Sequence, residues 1–376
     1  MEWGRLGFPC VIDGSTIDRM RLTDSALVIL LACVGCATTS KNVPVVHLEP
    51  LVLHSDDGNS VRSLEARPLF KEAQRAYLEG NFEQAAEKFA LIVRHFGQTS
   101  YGAHAQFNLG LTLNRLKRWQ PALEALLAAH KAMKKPKDRT DAMYNAVQSY
   151  EELKQWDRVE QALIWVLDQG LLPPVDQVVS YSRLGQAYFE QGKLADAEEA
   201  FNKSLEGYRE HIDIRVLHRN EYVAHAQYQI GAIYKRLFDS IRFRLPVGSM
   251  KRDLIDKSHF FLKAQSAFLR TIRQGHGYWA VAGGFQLGSL YEDFYDHMMT
   301  AEVPEDLTEA DQKIYFEELR GYIKPLVIRA IDVYERNMGM SDRLREKGEW
   351  SQKTKDRLER MRTILRTEFS DVDGVQ

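Results

Sequence analysis

Residues 180–206 constrain the fold more than any other stretch of the chain. Two short apolar runs with helical spacing are separated there by Gln191-Gly192-Lys193. The first run is Tyr181, Leu184, Gly185 and Tyr188, and the second is Leu194, Ala197, Phe201 and Ser204. Small residues such as Gly185 and Ala197 allow two antiparallel helices to approach closely. The stretch therefore predicts a helical hairpin whose outer sides remain apolar and need neighbours to cover them.

Composition narrows the class of protein. A chain of 376 residues with 44% hydrophobic content can bury a large core, either as one repeat array or as two compact domains. Its net charge of −2 argues against nucleic acid as the main partner, because phosphate binding needs a basic excess. The only thiols are Cys10, Cys33 and Cys36. We therefore expect no disulfide framework, cysteine metal site or cysteine nucleophile beyond residue 36.

The hairpin pattern recurs along the chain. With Gly185 as the register, equivalent positions fall upstream on Ala73, Gly110 and Val147, at intervals of 37 or 38 residues. Second helices follow at matching offsets, for example at Ala122. Two further units begin at Gly231 and Gly288, with displaced second helices. Their apolar patterns resume at Ala264 and Phe268, and at Ala330 and Tyr334.

This spacing resembles the tetratricopeptide repeat, a helix–turn–helix module of about 34 residues. The repeat positions that carry the resemblance are Gly110, Ala122, Gly185, Tyr188, Ala197, Phe201, Gly231 and Gly288. The resemblance implies an all-α, right-handed α-solenoid of about six hairpins over residues 67–345. Residues 346–376 are expected to form a capping helix with a polar outer face and a tail, since solenoids need such caps for solubility. The first two units resemble the repeats of bacterial envelope lipoproteins, including the Bam-complex lipoprotein, the Tol-associated division coordinator and motility-type lipoproteins.

The last two units carry insertions, at residues 239–256 and 296–312. We expect a long helix over 251–273 after the first insertion. Thr308 is predicted to cap a second long helix that ends near Met338 and bends near Pro325. These irregular segments are the expected sites of specific docking.

The N-terminus is typical of a lipoprotein signal peptide over residues 1–36, with a true start possible at Met20. Residues 25–32 are apolar but too short to span a bilayer. Residues 30–33 resemble the lipobox of bacterial lipoproteins, which makes Cys33 the predicted lipidation site and Cys36 the alternative. Neither cysteine is followed by Asp, which favours an outer-membrane protein facing the periplasm. A cleaved signal or a buried helix is the other interpretation. Residues 37–66 are predicted to form an extended tether.

In repeats of this kind the first helices line a groove, and the resemblance implies which residues face it. The predicted partner-groove residues are Phe70, His104, Phe107, Asn114, Arg115, Tyr144, Glu151, Gln186, Phe189, His225, Tyr228, Lys235 and Arg236. Aromatic side chains beside charges suit the binding of a peptide or helix. The alternative is that some of these aromatic residues pack between neighbouring hairpins. The lysine–asparagine carboxylate clamp of chaperone-binding relatives is not reproduced.

No catalytic motif stands out: the sequence has no HExxH, GxSxG or phosphate-binding loop, and it predicts no cofactor and no metal site. The leading hypothesis is a non-enzymatic scaffold lipoprotein that binds protein partners in a bacterial envelope complex. Outer-membrane assembly, cell-wall or division coordination, motility and secretion all remain open. The alternatives are a cytoplasmic adaptor without a lipid anchor and, third, an enzyme on a repeat scaffold.

Overall fold

The computed structural model describes residues 51–54, 62–304 and 307–369. Cys33, Cys36 and the predicted signal peptide lie outside these residues. Within the segment predicted as a tether, strands β1 (Leu51–His54) and β2 (Arg62–Glu65) pair antiparallel, with Leu51 opposite Glu65. Val52 and Leu64 pack against the first core cluster. The strand pair therefore joins the helical body directly.

All other regular structure in the described residues is helical, which confirms the all-α prediction. The chain divides into two compact units, one ending at Arg158 and the other starting at Val159. The first contains α1 (Ala66–Leu78), α2 (Phe82–Phe96), α3 (Ser100–Arg115), α4 (Trp119–Ala132) and α5 (Pro136–Glu152). Helix α6 (Trp156–Asp168) includes the boundary. The second contains α7 (Pro174–Glu190), α8 (Leu194–Glu210), α9 (Glu221–Ser240), α10 (Val247–Gln274), α11 (Gly277–Met299), α12 (Glu309–Leu344) and α13 (Glu349–Glu368).

In several hairpins, a glycine on the first helix contacts a large side chain on the second helix. A Cβ atom added to Gly185 would stand 2.6 Å from the Phe201 ring, and one added to Gly110 would stand 2.5 Å from Cγ of Leu126. Such distances are impossible for real side chains, so close packing requires glycine at both positions. In the later units Gly231 meets Phe268 of α10, and Gly288 meets Tyr334 of α12. The displaced second helices thus make the same contact as the regular ones.

The two inserted segments meet in the second unit. The Leu245 amide donates a hydrogen bond to the Glu302 carboxylate (2.7 Å), and the Glu302 amide donates to the Phe243 carbonyl (3.2 Å). Phe243 is buried. Helix α10 follows directly and begins at Val247, four residues before its predicted start. The two inserted segments therefore contact each other just before the start of α10.

Helix α12 exceeds its predicted length. It begins after the predicted cap Thr308, which forms a capping box with Asp311, and runs for 36 residues through Pro325. It ends at Leu344, beyond the predicted Met338, where Arg345 adopts a left-handed conformation with φ 55°. This turn brings α13 back against α11 and α12.

Candidate docking face

In each unit the first helices of successive hairpins pack against one another. In the second unit α7 contacts α9, α9 contacts α11, and α11 contacts α13. In the first unit α1 contacts α3, and α3 contacts α5. We call the solvent side of α7, α9, α11 and α13 the docking face of the second unit. The predicted groove residues of units four and five lie on α7 and α9.

A buried polar network joins α7 to α9. His225 lies 3.1 Å from Ser182 Oγ through Nδ1 and 3.0 Å from Gln186 Oε1 through Nε2. Gln229 also donates to Gln186 Oε1, over 2.7 Å. Burial lowers the pKa of His225 to about 3, so the ring is neutral near pH 7. His225 and Gln186 are therefore partners of each other across two helices.

Two further polar contacts join α9 to α11. The Gln286 amide donates to the Tyr228 hydroxyl over 3.0 Å. Lys235 Nζ pairs with Asp293 at 2.6 Å and with Asp239 at 2.8 Å. Burial opposes the charge on Lys235, but the two carboxylates outweigh it and raise the pKa of the lysine. Tyr228 and Lys235 were both predicted to face the groove, but their contacts hold α9 against α11.

Helix α13 is held to α11 by Glu292, which is 1% exposed. One carboxylate oxygen accepts hydrogen bonds from Arg357 (3.1 Å) and from Arg360, and the other accepts from the Tyr334 hydroxyl (2.6 Å). Burial and this carboxylate raise the pKa of Tyr334 well above its usual range. Arg360 also donates to Asp296 over 2.9 Å. The buried carboxylate of Glu292 therefore fixes α13, a feature that the sequence pattern did not reveal.

An open cleft of about 380 Å³ lies between α11 and α13. The rings of Phe285 and Trp350 are 5.3 Å apart in it, and Lys353 Nζ stands 4.3 Å from the Trp350 ring centroid. The remaining lining residues are Gln286, Asp356 and Arg357. The cleft offers aromatic surface with cations and hydrogen-bonding groups at its edge. Sequence reasoning missed it because α13 was expected only to cap the array.

The structure corrects part of the predicted groove. Phe70 and Phe107 are each 1% exposed and belong to core clusters of the first unit. Tyr228, His225 and Asn114 are also buried. These side chains occupy helical positions that usually face the groove. They face neighbouring helices instead, because burying an aromatic ring and forming hydrogen bonds between helices are both favourable. The alternative of packing between hairpins therefore holds for these aromatic residues.

Predicted residues in the first unit also have partners within it, and all of them except Phe70, Phe107 and Asn114 are half-buried or exposed. Asn114 accepts a 2.7 Å hydrogen bond from Ser149, and the exposed Arg115 lies 3.4 Å from the Tyr77 hydroxyl. His104 Nδ1 is 2.7 Å from the Ser100 carbonyl. Tyr144 and Glu151 are half-buried. In the first unit, as in the second, side chains on the first helices of the hairpins connect neighbouring helices.

Four predicted residues of the second unit keep contact with solvent. Arg236 is exposed, and Gln186, Phe189 and Lys235 are half-buried. Beside them, Glu190 is exposed and accepts a 2.7 Å hydrogen bond from Gln186.

Within the described part of the chain, no helix is both long and apolar enough to cross a bilayer, and no cluster of histidine and acidic residues could hold a metal ion.

Comparisons with known proteins gave one family match and several structures of low sequence identity. Residues 178–206, which form α7 and α8, match the family model of the tetratricopeptide repeat. The comparison with curated proteins gave no match. Among solved structures, the C-terminal part of a TPR repeat-containing protein from Cytophaga hutchinsonii is 12% identical, with a TM-score of 0.44, covering 81% of this chain and 99% of that one.

Two other solved structures are similar at comparable levels. A tetratricopeptide repeat protein from Parabacteroides merdae is 15% identical, with a TM-score of 0.39 and coverage of 77% of this chain and 98% of that one. MamA from Desulfovibrio magneticus RS-1 is 18% identical, with a TM-score of 0.39 and coverage of 54% of this chain and 94% of that one. The family match at residues 178–206 supports a tetratricopeptide repeat in this chain, a module generally found in non-enzymatic scaffolds.

Proposed function

We propose that this protein is a non-enzymatic scaffold that binds a protein partner on the docking face of the second unit. The observation that carries the proposal is the cleft between α11 and α13. Its aromatic rings, Phe285 and Trp350, stand beside Lys353 and Arg357 on a rigid pair of helices. Aromatic and arginine side chains in a preformed recess are the residues that most often dominate protein binding.

The buried carboxylate Glu292 fits a structural role better than a catalytic one. Both of its oxygens are occupied, one by two arginines and the other by Tyr334. A general acid or base needs a free oxygen within reach of a substrate. The hydrogen bonds of Glu292 therefore hold α13 in position, and α13 forms one side of the cleft.

Photo-crosslinking tests the docking face. A benzophenone amino acid placed at Lys353 or Arg236 should give a discrete adduct with a protein partner in cells. The same probe at Glu199, which is exposed on the second-layer helix α8, is the matched control and should give none. Adducts from Glu199 alone, or equal adducts from all three positions, would contradict the proposal. Loss of the adducts in a Trp350→Ala background would assign the contact to the cleft.

We further propose that the scaffold is an outer-membrane lipoprotein facing the periplasm, within an envelope complex of the kind named above. The support is the lipobox-like sequence ending at Cys33, with Cys36 as the second candidate. Two buried acyl chains or more would anchor the protein firmly, since each buried methylene contributes about 0.8 kcal/mol.

Metabolic labelling with palmitate tests the anchor. The intact protein should take up label and sediment with membranes, and the double variant Cys33→Ala with Cys36→Ala should do neither. The two single variants identify the modified cysteine. An unlabelled intact protein in the soluble fraction would overturn this proposal in favour of the cytoplasmic adaptor, while leaving the docking face to be judged by crosslinking.

A further inference from the structure

The outward side of α10 is unusually apolar for a solvent-facing helix. Among the described residues, fifteen large hydrophobic side chains are exposed, and six of them fall between Leu245 and Leu269. Ile255 and Leu262 are the most open of the six, at 69% and 60% exposure. A concentration of this kind, unlike scattered apolar residues, indicates an interaction surface.

Three of these six side chains form a narrow row. Ile255, Leu262 and Leu269 are spaced by seven residues, which places them almost in line along the 28-residue helix. Ser258 and Gln265 lie on one side of the row, and Arg252 and Arg273 lie on the other, by helical position. The row is one side chain wide, so it can lie along a single partner helix, whereas insertion into a bilayer needs a broader apolar face. We call this row and its flanking cations the α10 ridge.

Helix α10 and the residues just before it are rich in positive charge. Residues 242–273 contain seven exposed basic side chains: Arg242, Arg244, Lys251, Arg252, Lys263, Arg270 and Arg273. Only two carboxylates, Asp253 and Asp256, accompany them, in a chain whose net charge is −2. Two of these cations contact neutral hydroxyl groups: Arg270 donates to Ser266 over 2.8 Å, and Arg252 donates to Ser249 over 3.4 Å. The positive charge is thus available to an acidic partner.

The side of α10 opposite the ridge is anchored in the core. On its opposite side α10 buries Phe261 and Phe268, and Lys257, which is 0% exposed. Lys257 Nζ donates to the Phe238 carbonyl (2.6 Å) and the Ile241 carbonyl (2.9 Å) at the end of α9. A cation there also complements the partial negative charge of the α9 terminus. Changes to the exposed row should therefore leave the fold intact.

We propose that the α10 ridge binds one amphipathic helix of a protein partner, with an apolar row at seven-residue spacing bordered by glutamate or aspartate. This inference rests on the proposed scaffold function and adds a second surface to it, separate from the cleft between α11 and α13. A second copy of this chain fits poorly, because pairing two α10 ridges would oppose cation to cation.

A binding assay with a designed probe tests the ridge. The probe is a fluorescent helical peptide of about three heptads with leucine at every seventh position and glutamate beside it. Anisotropy should show binding at low salt that weakens as salt rises, because the ion pairs are solvent-exposed. Leu262→Ser and the charge reversal Arg252→Glu with Arg273→Glu should each weaken binding by about tenfold. A peptide with lysine in place of glutamate should not bind.

Matched controls separate the outcomes. Leu78→Ser, which alters a more exposed leucine in the first unit (75% exposed), should bind the peptide like the unaltered protein. Circular dichroism should show unchanged melting for Leu262→Ser. No peptide binding, binding that Leu262→Ser does not weaken, or binding to phosphatidylglycerol vesicles without peptide binding would each overturn the proposal. Crosslinking at Lys353 is independent of the ridge, so failure here and failure of the scaffold function are distinguishable.

Discussion

Replacing Phe107 by alanine should lower the free energy of unfolding by about 3–5 kcal/mol, the usual range for truncating a buried phenylalanine. The ring is 1% exposed and packs in a cluster with Leu111, Leu123 and Leu126. Alanine would leave a cavity that this helical layer cannot close without shifting α3 against α4. Urea unfolding followed by circular dichroism at 222 nm measures the loss.

Two variants show whether core volume is the cause. Phe107→Leu should cost about 1 kcal/mol, because a large apolar side chain still fills the site. Leu78→Ala, at a position that is 75% exposed, should change stability by less than about 0.5 kcal/mol. Unchanged melting of Phe107→Ala together with a loss of partner capture would restore Phe107 to the groove and contradict its assignment to the core.

Replacing Glu292 by alanine should release α13. The change removes a 1%-exposed carboxylate and leaves the hydroxyl of the buried Tyr334 without its partner, at an expected cost of about 2–4 kcal/mol. Arg357 and Arg360 lose their shared acceptor at the same time. Limited proteolysis with trypsin should therefore cut after these arginines much faster than in the unaltered protein.

The matched control is Glu335→Ala. Glu335 also joins α12 to α13, through a 2.9 Å ion pair with Arg362, but both side chains are more than 40% exposed. Surface pairs of this kind contribute about 0–1 kcal/mol, so trypsin cleavage should hardly change. Equal sensitivity of the two variants would show that burial of Glu292 is not what holds α13. Because α13 forms one wall of the cleft, Glu292→Ala should also abolish the crosslink from Lys353.

Many polar and aromatic side chains on the first helices of the hairpins join neighbouring helices rather than contact a partner. His225 with Gln186, Lys235 with Asp293, and Glu292 with the α13 arginines follow one another along the second unit. Each such pair fixes the position of the next helix. The accessible chemistry is therefore concentrated where the regular pattern stops, in the α11/α13 cleft and on the α10 ridge.

The repeat pattern predicted the hairpins because it depends on local contacts. Gly185 and Phe201 are 16 residues apart and meet within a single hairpin, so helical periodicity and residue size suffice to pair them. The same size rule located Phe268 and Tyr334 as the partners of Gly231 and Gly288 after each insertion. The N-cap Thr308 was predictable for a similar reason, since a capping box is a contact over three residues.

The docking surface was less predictable, because burial depends on the next helix in space. Phe107 and Arg115 both occupy groove-type offsets on α3, yet the ring is enclosed by the core while the guanidinium group remains exposed. Likewise, no local pattern indicates that Glu302 would meet Phe243 and Leu245 across 57 to 59 residues. Such contacts arise only once three helices are in place.

The sequence by itself thus determined the all-α class, the hairpin register and the long helices after the insertions, all of which follow from spacing and side-chain size within one hairpin. The tertiary structure decided which inner side chains are buried, how Glu292 fixes α13, and where apolar and basic residues gather on α10. The physical reason is that a side chain's exposure is set by its neighbours across helices, and those neighbours are distant in sequence. The hairpin at residues 180–206 defines the repeat, while the surfaces that depart from it carry the proposed binding.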